Sequence, residues 1–172
     1  MTEFVEPAAG EERDGERFEG YENTIIVVDS GNRRLKVLDV ITKAVVRCIG
    51  LGEEFSPYSV IVSGDHILIS DESSHTIKVL DGVSGEVVRS IGAGKGSGPG
   101  QLNCPYSMTV FSPPGSPPED HMLLVSLHFS TNSVVLFNVM TGQSVGSFES
   151  LNLQPRGIAL WTPSTGTAAD SL

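Results

Sequence analysis

Short apolar runs alternate with short polar breaks along most of the chain. IIVV (25–28), LKVL (35–38), ILIS (67–70) and IKVL (77–80) are each a few residues long, rich in Val and Ile, and bounded by Gly, Ser, Asn or Asp. That is strand and turn chemistry; helical periodicity is absent, so no long helix is expected. The runs recur as a unit. IIVVDSGNRRLKVLDVITKAVVRCIG (25–50) aligns without a gap onto ILISDESSHTIKVLDGVSGEVVRSIG (67–92), with identity at 11 of 26 positions and an offset of 42 residues. A third copy, LLVSLHFSTNSVVLFNVMTGQSVGSF (123–148), keeps the apolar pattern and places Gly142 where the second has Gly85, with one extra residue before its second run. Pro-led units accompany the copies: SPYSVIV (56–62), CPYSMTV (104–110) and QPRGIAL (154–160), with anchors 48 and 50 residues apart.

In the second copy the pattern predicts strands at 58–63, 66–70, 76–81 and 86–91, a four-stranded antiparallel meander. Pro57 is tolerated at a strand start. HILIS is apolar on both faces, as expected of an inner strand packed between neighbouring sheets. In TIKVLD and EVVRSI the polar Lys78 and Arg89 interrupt the apolar residues, as expected nearer a solvated edge. Four strands at a period in the low forties are the signature of a β-propeller blade. The fold class is therefore all-β, a propeller-like array over residues 23–161, with blades at about 25–50, 57–92 and 105–148 and an extra strand at 156–161.

The Gly-rich run GAGKGSGPGQLNCPYSMTV (92–110), the turn Asp29-Ser30-Gly31-Asn32, the following I/L-K-V-L-D and the strands ending Ile-Gly resemble the NHL repeat. The resemblance spans about residues 23–161, and no Trp-Asp pair of the WD type is present. Departures are DESSH in the second copy, SLHFSTN in the third and the Pro-rich insertion FSPPGSPPED at 111–120. The resemblance implies a family that includes substrate-recognition ends of tripartite-motif ubiquitin ligases, RNA-binding regulators, sensor domains and propeller lyases acting on amidated peptides. Those lyases place metal-ligating His after such prolines, where this chain has Tyr58, Tyr106 and Arg156. No RING-type cysteine pattern accompanies them.

The strand tally is three, four, four and one, which amounts to three blades, below the four to eight that close a ring. Three arrangements remain open: two copies forming a six-bladed ring, a fragment of something larger, or an open stack of sheets.

Charge narrows the partners. The net charge of −10 disfavours binding through nucleic-acid phosphates, which requires Lys and Arg. Residues 1–22 hold eight acids against Arg13 and Arg17, a net of −6, leaving −4 for the rest; they read as a disordered acidic lead, and 162–172 as a tail. No apolar run reaches the roughly 18–20 residues of a membrane helix, and the N-terminal residues lack signal-peptide order, so a soluble cytoplasmic protein is expected. Cys48 and Cys104, 56 residues apart, read as reduced.

Loops entering the blades converge at the ends of a propeller, where ligands bind. Tyr58, Tyr106 and Arg156 follow the anchor prolines, and their equivalence places two phenols and a guanidinium on one face near the axis. Tyr and Arg are enriched at interface hot spots, so a protein or peptide partner is the functional reading, against plain inter-blade packing. His66 and His121 each follow an Asp, while His75 and His128 fall in turns; turn chemistry accounts for all four. Asp29, Asp39, Asp71 and Asp81 recur at strand ends, where carboxylates accept from turn amides. The 92–100 run lacks Walker spacing and a following helix, so it reads as a flexible inter-blade loop. No catalytic set, metal or cofactor is expected. The reading is a non-catalytic interaction scaffold; the alternatives are a metal-dependent propeller lyase or lactonase, or the recognition part of a ligase whose catalytic region lies elsewhere.

Overall fold

The structure, a computed structural model, describes residues 23–128, 134–148 and 155–161. The acidic lead at 1–22 and the tail at 162–172 lie outside the described residues. Among the described residues eleven strands form three antiparallel sheets. The first contains β1 (Thr24–Asp29), β2 (Arg34–Asp39) and β3 (Val45–Gly50). The second contains β4 (Pro57–Ser63), β5 (His66–Asp71), β6 (Thr76–Asp81) and β7 (Val87–Ile91). The third contains β8 (Pro105–Phe111), β9 (Met122–Leu127), β10 (Val134–Asn138) and β11 (Ser144–Phe148). Each four-stranded sheet is a meander in chain order, as the repeat requires. Among the described residues no helix is long and apolar enough to cross a membrane.

Residues 155–161 form no strand. The strand expected at 156–161 is thus not made within this chain. No strand edge lies beside it among the described residues, and the segment's one described tie is a hydrogen bond from the Ile158 amide to Ser107 Oγ, at 3.3 Å.

One hairpin is built three times. Asp39, Asp81 and Asn138 end the third strand of their repeat, and each Oδ1 accepts from the turn: from the amides of Ile41 and Thr42, of Val83 and Ser84, and of Thr141. The next strand leaves through Lys43, Gly85 and Gly142, all left-handed, whose amides donate back to the carbonyls of Asp39, Asp81 and Asn138. The carboxylate capping expected at Asp39 and Asp81 is therefore present, and an amide side chain performs it in the third copy.

Sheets are then locked to one another by the same device. Arg47 on β3 donates to the carbonyls of Gly82 and Val83 in the next sheet's hairpin, at 2.9 and 2.7 Å. Arg89, its repeat equivalent on β7, donates to the Val139 carbonyl at 2.6 Å. Position 146, which completes the series, is Gly.

The apolar residues fill two inter-sheet layers. Leu35, Ile49, Leu51 and Phe55 meet Ile67, Ile69 and Leu80 between the first and second sheets. Leu68, Ile77, Val79 and Ile91 meet Leu123, Val125, Val135 and Phe137 between the second and third. β5 therefore faces a sheet on both sides, which is why HILIS has no polar face: Ile67 to Asp71 are all buried. The 92–104 loop is an ordered connection rather than a loose linker. Its backbone closes on itself through Ala93 to Gly100, Leu102 to Gly94 and Gly96 to Leu102, and Leu102 is wholly buried in the second layer.

Candidate functional site

β4 and β8 lie side by side where the sheets converge, and each starts with its anchor proline. The following residues therefore emerge next to each other. Tyr58 and Tyr106 have ring centroids 4.8 Å apart, tilted by 36°. Arg156 joins them because residues 155–161 run past β8, and all three border one pocket of about 160 Å³. The structure thus brings the three residues that follow the anchor prolines to the border of one pocket.

The pocket has a second ring of residues that spacing alone did not single out. Glu72 and His128 follow β5 and β9 directly, at equivalent positions of the repeat, and Cys104 precedes the anchor Pro105. Their placement is backbone-driven: the Glu72 amide donates to the Ser56 carbonyl and the His128 amide to the Cys104 carbonyl, at 3.0 and 3.1 Å. Each bond ties the end of a second strand to the residue before an anchor proline. The His128 ring lies 5.2 Å from Tyr106, and His75 Nδ1 accepts from the Cys104 amide at 3.1 Å. The signal for Glu72 and His128 was in the repeat, in the residue just past the second strand; Ser30 holds that place in the first copy and donates to the Pro57 carbonyl.

Two polar seams support the site from below. Buried Ser70 Oγ accepts from the Ser59 amide and donates to the Tyr106 carbonyl, both at 2.9 Å, so it couples β4 to β8. Ser126 repeats the first half with the Ser107 amide at 3.0 Å. Burial alone would push the Asp71 carboxyl up, but hydrogen bonds from Ser74, Ser56 and Ser73 hold it below its ordinary value, so it stays an anion that fixes the turn ahead of the pocket.

Electrostatically the pocket is mixed. Hydrogen bonding to Glu72, followed by burial, raises the Tyr58 phenol, and burial followed by Glu72 raises the Cys104 thiol. Both groups are therefore protonated at neutral pH, and Cys104 is a poor nucleophile there. Two phenols, an imidazole, a carboxylate and the Arg156 guanidinium can hydrogen-bond and stack on one inserted side chain; 160 Å³ is below the size of common small-molecule pockets. At the opposite end, a cleft of about 340 Å³ between the first two sheets is lined mainly by apolar groups such as Ile26, Ile49 and Ile67, with Arg47 already engaged. Of the remaining histidines, His66 opens β5 and His121 immediately precedes β9. Among the described residues no three His, Cys, Asp or Glu side chains are grouped to hold a metal ion.

No protein-family profile matches this sequence, and no curated protein matches it either. Solved structures do. Hydrazine synthase of Kuenenia stuttgartiensis is similar over 78% of this chain and 35% of its own, with a TM-score of 0.59 at 15% identity. The WD40 β-propeller domain of Doa1 is similar over 82% of this chain and 41% of its own, with a TM-score of 0.59 at 12% identity. The computationally designed Ika4 protein is similar over 82% of this chain and 76% of its own, with a TM-score of 0.55 at 13% identity. The chain thus spans about two-fifths or less of the first two. The three sheets are propeller blades in arrangement as well as in pattern.

Proposed function

We propose that the chain is an NHL-type propeller module with no chemistry of its own, which works in the cytoplasm by offering the Tyr58, Tyr106 and Arg156 face to a protein or peptide partner. Two copies share one six-sheet ring in this reading. The observation that carries it is the convergence of three repeat-equivalent anchor residues on one pocket at the end where the sheets meet. Paired aromatics beside a guanidinium are the residue types from which interface hot spots are made, and β4 and β8 hold the two rings in place before any partner arrives. Propeller folds commonly serve such interactions, and Doa1 shares the fold.

The test is a random peptide library displayed on phage and panned against the full chain. Peptides enriched on the wild type should bind Tyr106→Ala and Arg156→Ala at least tenfold more weakly, with β circular dichroism unchanged. Equal binding to the variants, or no enrichment at all, overturns the assignment.

A further inference from the structure

Because one repeat builds all three sheets, every position exists in three copies with different neighbours. On the face that each sheet turns to its predecessor, Ile67 and Leu123 are 1% and 0% exposed, whereas Ile25, at the same position in the first sheet, is 49% exposed. Val27 is likewise exposed where Ile69 and Val125 are buried. On the opposite face the contrast falls at the other end of the chain. Ile49 and Ile91 are 6% and 1% exposed, and Phe148 is 53% exposed. The first sheet thus presents one half of an interface and the third sheet the other half. That interface occurs twice inside the chain, between the first and second sheets and between the second and third.

Among the described residues, Ile25–Asp29 of β1 form a ladder with β2 alone, while the equivalents β5 and β9 pair on the other side with the Pro-led strands β4 and β8. Residues 155–161 carry that Pro-led repeat and make no ladder, and Leu160 and Trp161 are exposed. Among the described residues they do not meet their own β1, since the three sheets fall short of the four to eight blades that close a ring.

We propose that residues 155–161 of each chain add to the β1 edge of a second copy, reciprocally, so that the third sheet of one chain covers the open face of the other's first sheet. The proposal rests on the two-copy ring put forward above and specifies how it closes. The register follows from β4 on β5, where Val60, Ile61 and Val62 face Ile69, Leu68 and Ile67. Transposed by the repeat, Ile158 lies opposite Val27, Ala159 opposite Ile26 and Leu160 opposite Ile25 of the second copy. The exchange gives a two-fold contact, self-complementary and closed at two chains. It supplies main-chain partners to an edge that is otherwise open to aggregation.

The experiment uses the full chain with Cys48→Ser and Cys104→Ser. One preparation carries Ile25→Cys and a second, size-tagged one carries Leu160→Cys. Opposed residues of an antiparallel pair have Cα atoms about 4.5–5.5 Å apart, within reach of a disulfide. After mixing and mild oxidation, the tagged and untagged chains should link at least tenfold more than Ile25→Cys mixed with Val83→Cys. Light scattering should give a mass near twice 18.3 kDa. A dimer without the 25–160 link overturns the strand exchange while leaving the two-copy ring standing. A monomer, or an unlimited series of larger species, overturns both.

Discussion

Adding a single methyl at Gly85 should separate local backbone cost from inter-sheet packing, because the same hairpin position exists twice more with different surroundings. Gly85 has φ +79°, and a Cβ there would stand 2.9 Å from Ile49 Cγ2, in the layer between the first two sheets. The left-handed conformation costs an L residue about 1–2 kcal/mol, of which the less flexible unfolded chain returns roughly 0.4–1. Forcing Ile49 aside in a packed layer adds about 1–3 kcal/mol. Gly85→Ala should therefore destabilise by about 2–3 kcal/mol. At Gly142, φ +70°, the nearest atoms are Arg89 Nη1 at 3.2 Å and Ile91 Cγ1 at 3.3 Å, which need yield only slightly, so Gly142→Ala should cost about 1 kcal/mol. Lys43 already holds φ +60° without being glycine, and Lys43→Gly should stabilise by roughly 0.5 kcal/mol once the backbone gain is set against chain entropy. Urea unfolding followed by circular dichroism, at one protein concentration for all variants, reads the three midpoints. A Gly85→Ala midpoint indistinguishable from wild type, or a Lys43→Gly chain clearly less stable than wild type, would refute the reasoning.

Arg47→Ala removes two hydrogen bonds to the next sheet's hairpin and Arg89→Ala removes one, so the first should cost about 2 kcal/mol and the second nearer 1, measured by the same denaturation. An equal and negligible effect for both would show that apolar layers alone align the sheets. Acid should act through Asp29, whose carboxyl is held down to about 2 by Asn32, then Arg34 and Lys36. A depressed carboxylate stabilises the fold fully above its ordinary value near 3.8, and the contribution disappears as the pH falls toward 2. Wild type should therefore lose more stability than Asp29→Asn between pH 5 and roughly pH 2.5, and parallel losses would contradict this.

The sequence showed strand positions almost to the residue because alternation, turn residues and a 42-residue offset all bear on local geometry. A Val or Ile run between an Asx turn and a left-handed glycine has few other ways to settle. Tyr58, Tyr106 and Arg156 were legible for the same reason, since equivalent places in a repeat emerge at equivalent places in space. Glu72, Cys104 and His128 were not singled out, because they differ in chemistry from copy to copy and reach the pocket through backbone bonds that fold two turns together. The segment 156–161 failed as a strand for the converse reason: its residues suit an inner strand, but a ladder needs an edge beside it, and local pattern carries no information about whether one is present.

Sequence alone thus determined the all-β class, the repeat, the turns and the anchor residues, all consequences of which φ, ψ and side-chain alternation each residue tolerates. Tertiary structure decided which faces of those strands are covered. Ile25, Ile67 and Leu123 occupy one position of the repeat, yet only the last two are buried. Burial belongs to the neighbour a sheet happens to have, and a residue does not encode its neighbour.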